Sequence, residues 1–282
     1  MYPTPIPSKR IWLRIFYGGM VAFVVVVWLL PLLAVALTSL RTLAAINQGH
    51  LWTWPKTLVF ENYVQVFIQT DMARYLLNSV IITIPAVIGS IILSTLAGFS
   101  LAKYKFFGNT VCFAIFVGGN FVPYQILAVP VRNLSLSLHI YNSYSALILF
   151  HIAFQTGFAV LFMRNFIAEL PDEILEAARI DGVSEWRIFR YIVIPLTKPA
   201  IAALSVLLFT FIWNDYFWAL VLVQGSNVLP VTTGLQSLLG QFVASWQLVS
   251  AAAIIAALPP VIMFFAMQRY FISGLTLGAT KG

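Results

Sequence analysis

The stretch Ile15–Thr38, IFYGGMVAFVVVVWLLPLLAVALT, carries no charged residue, and Ala200–Gln224, AIAALSVLLFTFIWNDYFWALVLVQ, carries a single one, Asp215. Each exceeds the roughly 20 apolar residues that a helix needs to cross a bilayer core. Four more runs of this character lie near 76–101, 110–131, 143–163 and 249–268, each bounded by charged or Gly/Pro/Asn-rich sequence. Six such runs in series predict an all-α membrane protein with six transmembrane helices.

Composition supports the same class. Apolar residues make up 61% of the 282 positions and charged residues 9%, whereas soluble domains average about 25% charged and roughly half apolar. The formal net charge of +7 does not point to nucleic acid, because the basic residues flank apolar spans instead of forming an aromatic-interleaved stripe. Cys112 is the single cysteine, so no intramolecular disulfide is available. The N-terminus has the look of a signal peptide, with Lys9, Arg10 and Arg14 ahead of an apolar run and Ala34-Val35-Ala36 as a cleavage-like site. That run is longer than the roughly 7–15 residues of a signal core, so it reads as an uncleaved first helix.

Orientation follows from the segregation of Lys and Arg, which favour the cytoplasmic loops. With the N-terminus inside, that side holds Lys9, Arg10, Arg14, Lys103, Lys105, Arg164, Arg179, Arg187, Arg190, Lys198, Arg269 and Lys281, and the other holds Arg41, Lys56, Arg74 and Arg132. Twelve against four places both termini in the cytoplasm. The chain then divides into a cytoplasmic N-terminus (1–14), a first transmembrane helix with an extracytoplasmic loop (15–70), a transmembrane domain (71–268) containing a long cytoplasmic loop (164–199), and a cytoplasmic tail (269–282).

That long loop is unlike the others. It holds Glu169, Asp172, Glu173, Glu176, Asp181 and Glu185, six of the nine acids in the chain, beside five basic residues. Mixed charge between two spans predicts a structured, water-facing element. Pro171 suits a first helical position, and Asp172 and Glu173 then occupy the first turn, where the helix dipole favours negative charge. Ile174, Leu175 and Ala178 share one side, with Glu173 and Glu176 turned away. Asp181-Gly182 is a stop signal, and Ser184 is placed to cap a second helix running towards Pro195. Such a hairpin fits either a solvated linker or a docking knob, in which small alanines allow close approach and carboxylates fix register on a partner's Arg or Lys.

Glu176-Ala177-Ala178, three residues, Gly182, nine residues, then Ile192-Val193-Ile194-Pro195 resembles the EAA signature of binding-protein-dependent ABC importer permeases. Ile194 stands where that pattern has leucine, a swap of similar volume. The resemblance implies a type I ABC importer permease fold in which this loop is the cytoplasmic coupling helix seated in a cleft of the ATPase. Glu176, Ala177, Ala178 and Gly182 would transmit nucleotide-driven motion, with Asp172, Glu173, Arg179 and Asp181 as their charged neighbours in the same ATPase-coupling element. Glu61-Asn62-Tyr63, Asn78-Ser79, Trp213-Asn214-Asp215-Tyr216 and the stretch from Gln268 to Gly282 are similar to carbohydrate permeases of the maltose and glycerol-phosphate type, specifically to the smaller six-span partner. The partners so implied are a second permease in a heterodimer, two ATP-binding-cassette ATPase subunits, an extracytoplasmic solute-binding protein, membrane lipid and a sugar.

The chain has no G-x-x-x-x-G-K-[S/T] phosphate loop, so ATP hydrolysis is expected on another chain. His50, His139 and His151 lack ligand spacing, and no metal, cofactor or nucleophile triad is expected. Asp215 is the acid predicted within a span, which makes it a functional candidate. Asn120, Gln125, Gln155, Trp213, Asn214 and Tyr216 are the other polar or aromatic residues placed at membrane depth. They fit a wet translocation path, with aromatics on sugar faces and amides on hydroxyls, or interhelical hydrogen bonds that hold the bundle together. The uncharged loop from Gly225 to Gln247 fits a connector, and by resemblance a contact for the binding protein. An ion-driven secondary transporter is disfavoured because Asp215 has no evident charged mate. A membrane scaffold would explain the hairpin but not the polar spans.

Overall fold

The computed structural model describes residues 11–49, 53–55, 57–225, 227–241 and 245–277. Among them every regular element is helical. The helices are α1 (Ile11–Ser39), α2 (Leu43–Asn47), α3 (Glu61–Gln69), α4 (Met72–Lys103), α5 (Asn109–Gly119), α6 (Ala128–Ser137), α7 (Tyr144–Ala168), α8 (Asp172–Ile180), α9 (Glu185–Ile188), α10 (Ile194–Trp213), α11 (Phe217–Leu222), α12 (Val231–Gln241) and α13 (Trp246–Leu277). Five helices are long and apolar enough to cross a membrane, and the pair Asn109–Gly119 with Tyr124–Ser137, bent by 92° at its break, brings the number to six where it is counted as one span.

The chain forms two compact units, Met1–Met72 with Leu235–Ala257, and Ala73–Gly234 with Leu258–Lys281. In the first, α1 buries little of its own surface; Trp28 is 79% exposed and Phe23 69%. Apolar exposure on this scale suits lipid rather than water. Only its end is tied down. The Asn62 side chain on α3 donates to Ser39 O (2.8 Å) and Arg41 O (2.9 Å), and Ser39 Oγ lies 2.8 Å from Tyr63 Oη. Carbonyls left without intrahelical donors at the end of α1 thereby gain partners.

The second unit is built on α4, α7 and α10, whose buried Ala86, Phe99, Ala159, Met163, Ala200, Leu204 and Leu208 belong to one core. Small residues bring α4 and α7 close together, as is common between helices in membranes. A Cβ on Gly98 would stand 2.9 Å from the Arg164 backbone nitrogen and 3.1 Å from Met163 Cβ, and one on Gly89 2.5 Å from the Ile152 side chain.

Two expectations about the spans are corrected. Residues 110–131 are not one helix: α5 ends at Gly119, and a 3-10 turn over Tyr124–Leu127 leads into α6. Gly118, Gly119 and Asn120 are poor helix formers, and Pro123 biases its predecessor away from the helical region. The span expected at 200–224 instead runs over Glu185–Trp213 as a continuous helical path and breaks before α11. Its start therefore belongs to the stretch expected to be a water-facing loop up to Pro199. A π-helical turn, Phe189–Val193, precedes Pro195; its wider winding accommodates a proline that has no N–H and crowds the preceding turn. The segment 225–247, expected to be a connector or a contact for the binding protein, contains α12, and the last apolar span, Trp246–Gln268, ends at the expected position while its helix continues through Leu277. His50, Lys56, Lys281, the first ten residues and 278–282 lie outside the described residues.

The close α4–α7 crossing predicts a contrast between two glycines. Gly98→Ala should lower the thermal unfolding midpoint in detergent through about 1–3 kcal/mol of overpacking. Gly118→Ala, where a Cβ meets nothing within 4 Å, should stay close to the parent. Equal midpoints for the two variants would refute the tight crossing.

Candidate functional site: a cavity between interrupted spans, and a polar hairpin

Both interruptions open onto one cavity of about 670 Å³, lined by Tyr124, His151, Phe154, Gln155, Phe158, Thr210, Phe211, Asn214, Asp215, Tyr216, Phe217 and Trp218. Tyr124 comes from the bend after α5, and Asn214–Tyr216 form the break between α10 and α11. Irregular backbone at membrane depth is tolerated where it is buried in protein or lines a wet cavity. At this break the Asp215 side chain supplies acceptors that the interrupted helix lacks. Asn214 Nδ2 donates to Thr210 O at 2.8 Å, while the Asp215 carboxylate accepts from the backbone N–H of Trp218 (3.3 Å) and Ala219 (3.1 Å), capping α11.

Asp215 was expected within a span and without a mate. It stands instead at the helix break, and His151 Nε2 lies 3.7 Å from its Oδ2, beyond direct hydrogen-bond distance. His151 Nδ1 and Trp218 Nε1 are buried without a hydrogen-bond partner in the chain. Buried polar atoms are rarely left so. Tyr124 packs edge-on against Phe154 and Phe217, and Phe150 packs against Trp218 with centroids 3.8 Å apart.

Of the candidate path residues, Gln155, Asn214, Asp215 and Tyr216 line this cavity. Trp213 does not; it is 2% exposed and stacks on Phe209. Asn120 is turned back on its own helix, its Nδ2 donating to Phe116 O at 2.9 Å. Gln125 lies in the 3-10 turn and is exposed. His151 was missed because it meets Asp215 from α7, 64 positions away, and nothing in its local sequence marks the pairing; Trp218 lies three residues after Asp215, within reach of a cap that the sequence offered.

The second site is the hairpin. Pro171 is the N-cap of α8 rather than its first residue, and Asp172 and Glu173 fill the first turn. The turn at its end is a Schellman motif: Gly182 N donates to Arg179 O (3.0 Å), Val183 N to Ala178 O (3.0 Å), and Gly182 has φ +76°. Leu175 and Ala178 face the core, as expected. Ile174 is 43% exposed instead of sharing their side. Ser184 stands at the N-cap of α9 but makes no side-chain capping bond. Glu173, Glu176, Ala177, Asp181 and Gly182 are exposed. A Cβ at Gly182 meets nothing in this chain within 4 Å.

Two polar joints hold the hairpin to the end of α4. Lys103 Nζ, on a side chain 4% exposed, donates to Asp172 Oδ1 at 2.7 Å and to Leu170 O at 2.6 Å. The ammonium keeps the Asp172 carboxyl below its ordinary pKa, so the pair's contribution is present at neutral pH and is lost as acid protonates the carboxyl. Tyr104 donates its hydroxyl to Glu185, and Arg179 Nε donates to Glu185 Oε1 at 2.7 Å. That carboxylate raises the Arg179 pKa, while burial, then the Glu185 bond, raises that of the Tyr104 phenol.

Interrupted spans around a mixed aromatic and polar cavity, with a charged helical hairpin at one end of the bundle, define a multi-pass membrane transport protein. The chain belongs to the binding-protein-dependent transport system inner membrane component family, which matches over residues 71–276. It is a permease subunit of an ABC importer, acting with a binding protein, and ATP hydrolysis lies on a separate subunit. It is 34% identical over 252 residues to a probable ABC transporter permease of Pyrococcus horikoshii, covering 89% of this chain and 91% of that protein. It is 33% identical over 264 residues to the arabinooligosaccharides transport system permease AraQ of Halalkalibacterium halodurans, covering 93% and 94%. With the melibiose/raffinose/stachyose import permease MelC of Bacillus subtilis the figures are 32% over 254 residues, 90% and 91%. The crystal structure of a bacterial ABC transporter involved in alginate import has the same fold, with a TM-score of 0.82, 23% identity and coverage of 95% of this chain and 99% of that one.

The cap at the α10–α11 break gives a stability prediction. Asp215→Ala should cost about 0.5–2 kcal/mol, the range for loss of a capping side chain, and Asp215→Asn, which keeps one acceptor, should cost less. Thermal unfolding in detergent reads both, and equal losses would argue against the capping role.

Proposed function

We propose that this permease imports a carbohydrate or a similar polyhydroxylated solute through the cavity at the two span breaks. The observation that carries this reading is the cavity lining. Tyr124, Phe154 and Phe217 offer aromatic surface beside Gln155, Asn214 and Asp215, and a sugar presents apolar ring faces and hydroxyl edges to such a surface. The names of AraQ and MelC, both oligosaccharide permeases, support the same solute class. Gln155, Asn214, Asp215 and Tyr216 are the polar path residues in this reading, and Trp213 and Asn120 support the helices around them.

The working unit is a heterodimer with a second permease, two ATPase subunits on the cytoplasmic side and an extracytoplasmic solute-binding protein. Both termini are cytoplasmic, as the twelve-to-four distribution of Lys and Arg supports. The α8 hairpin enters the ATPase cleft: Ala177 and Gly182 allow close approach, Glu173, Glu176 and Asp181 present exposed carboxylates to basic partners, and Asp172 and Arg179 hold the hairpin in shape. ATP-driven closure of the ATPase pair moves the hairpin, and the permeases rock so that the cavity opens to one side and then the other.

Reconstituted vesicles test the reading. With all partner chains and a loaded binding protein, ATP should drive uptake of an oligosaccharide, and an ion gradient alone should not. Gly182→Asp should reduce ATP-driven uptake by an order of magnitude or so while the protein still inserts and assembles. Uptake and ATPase stimulation unchanged by Gly182→Asp would remove the hairpin from the coupling route. Uptake of other solutes only would refute the carbohydrate assignment.

A further inference from the structure

The two ends of α4 hold two separate polar structures. At its C-terminal end, consecutive residues Lys103 and Tyr104 grip both sides of the hairpin. Lys103 takes the entry, through Leu170 O and Asp172, and Tyr104 takes the exit, through Glu185, which also binds Arg179. Asn109 fixes the chain just beyond, its Nδ2 donating to Tyr104 O at 2.8 Å.

Near the N-terminal end, consecutive residues Asn78 and Ser79, each 1% exposed, grip the segment that follows α11. Asn78 Nδ2 donates to Asn227 O (3.0 Å) and Leu229 O (2.9 Å), and Ser79 Oγ accepts from Val231 N (2.8 Å). Tyr144 orients the clamp by donating to Asn78 Oδ1 at 2.6 Å. Asn142 takes the start of the same segment, its Oδ1 accepting from Gln224 N and Gly225 N, each at 3.0 Å. The bonds from Asn78, the bond from Lys103 to Leu170 O and the bond to Ser79 are partly or fully buried, and breaking them leaves backbone groups without a partner; those to Asp172 and Glu185 are exposed.

We infer that α4 is a strut that links the hairpin mechanically to the segment Gln224–Val231, with Lys103 and Tyr104 as positioning residues at one end and Asn78 and Ser79 at the other. The distance between the two grips is about 38 Å for 25 residues of helix, enough to cross the hydrocarbon core. Gly89 and Gly98 seat this rod directly on α7, so α4 and α7 move together rather than slide. The segment it holds is outside in the proposed topology and exposes Gln224 and Asn227. Movement of the hairpin is then delivered to the outer face, and the state of the outer face to the hairpin, as reciprocity of coupling requires. The inference rests on the coupling role proposed for the hairpin.

The test uses the complete reconstituted importer and measures how far a loaded binding protein stimulates ATP hydrolysis, relative to the unstimulated rate of the same variant. Tyr104→Phe, which keeps the ring, and Lys103→Met act at one end; Ser79→Ala and Asn78→Ala act at the other. Each end alone should lower the stimulation by about fivefold or more. Because both ends serve one rod, Tyr104→Phe combined with Ser79→Ala should be no worse than the more severe single change, a non-additivity expected of groups acting in one path. A purely structural role would give losses that multiply, and that result overturns the strut, as does stimulation within about twofold of the parent at either end. Gly182→Asp is the control. If it uncouples and the α4 variants do not, the strut alone is wrong; if it too leaves coupling intact, the hairpin assignment beneath it has failed.

Discussion

The constraint on which the rest depends is that every backbone N–H and C=O within hydrocarbon must find its partner inside the protein. Continuous helix meets it along α7 and over most of α1, α4 and α13, where Pro31, Pro85, Pro259 and Pro260 each remove a donor. Where helix is given up, side chains take over: Asp215 at the start of α11, and Asn62 beside the end of α1. The same constraint explains why the break between α10 and α11 lines a cavity, which Tyr124 reaches from the bend after α5. A transport path needs polar lining at membrane depth, and a broken helix supplies it from backbone and side chains together.

The polar joints of the second unit are buried more deeply than their residue types would suggest. Lys103, Asn78 and Ser79 are almost fully covered, yet each has its hydrogen-bonding capacity directed to a loop or a helix end. Apolar packing in a bilayer gives little preference among helix arrangements, because lipid tails are as apolar as leucine. Directional bonds at helix ends therefore carry much of the specificity that a water-driven core carries in a soluble domain. Aromatic contacts reinforce one of these joints, where Phe99 packs on Tyr104 and Phe189.

Several features were legible before any coordinates. Uncharged runs located the spans because twenty apolar residues have few alternatives to a bilayer. The α8 hairpin was legible because Pro171, Asp172, Glu173 and Gly182 carry local backbone preferences: the left-handed φ at Gly182 is a property of that turn, whatever packs beside it. The α5 break had a signal in Gly118-Gly119-Asn120 and Pro123 that the hydropathy of the run outweighed. The start of the fifth span was misplaced because two prolines and a charged stretch argue for a loop, whereas the helix passes Pro195 by way of a π-helical turn.

The sequence by itself determined the class of the protein, its apolar runs and the place of its hairpin, since these follow from composition, length and short-range backbone chemistry. Tertiary structure decided what the polar residues meet. Asp215 acquires His151 as a neighbour across 64 positions of chain, Lys103 acquires Asp172 across 69, and Asn78 acquires Leu229 across 151. No local rule encodes such pairings, because they depend on which helix faces lie together, and that is settled by small residues such as Gly89 and Gly98, whose meaning emerges once a neighbouring helix is packed against them.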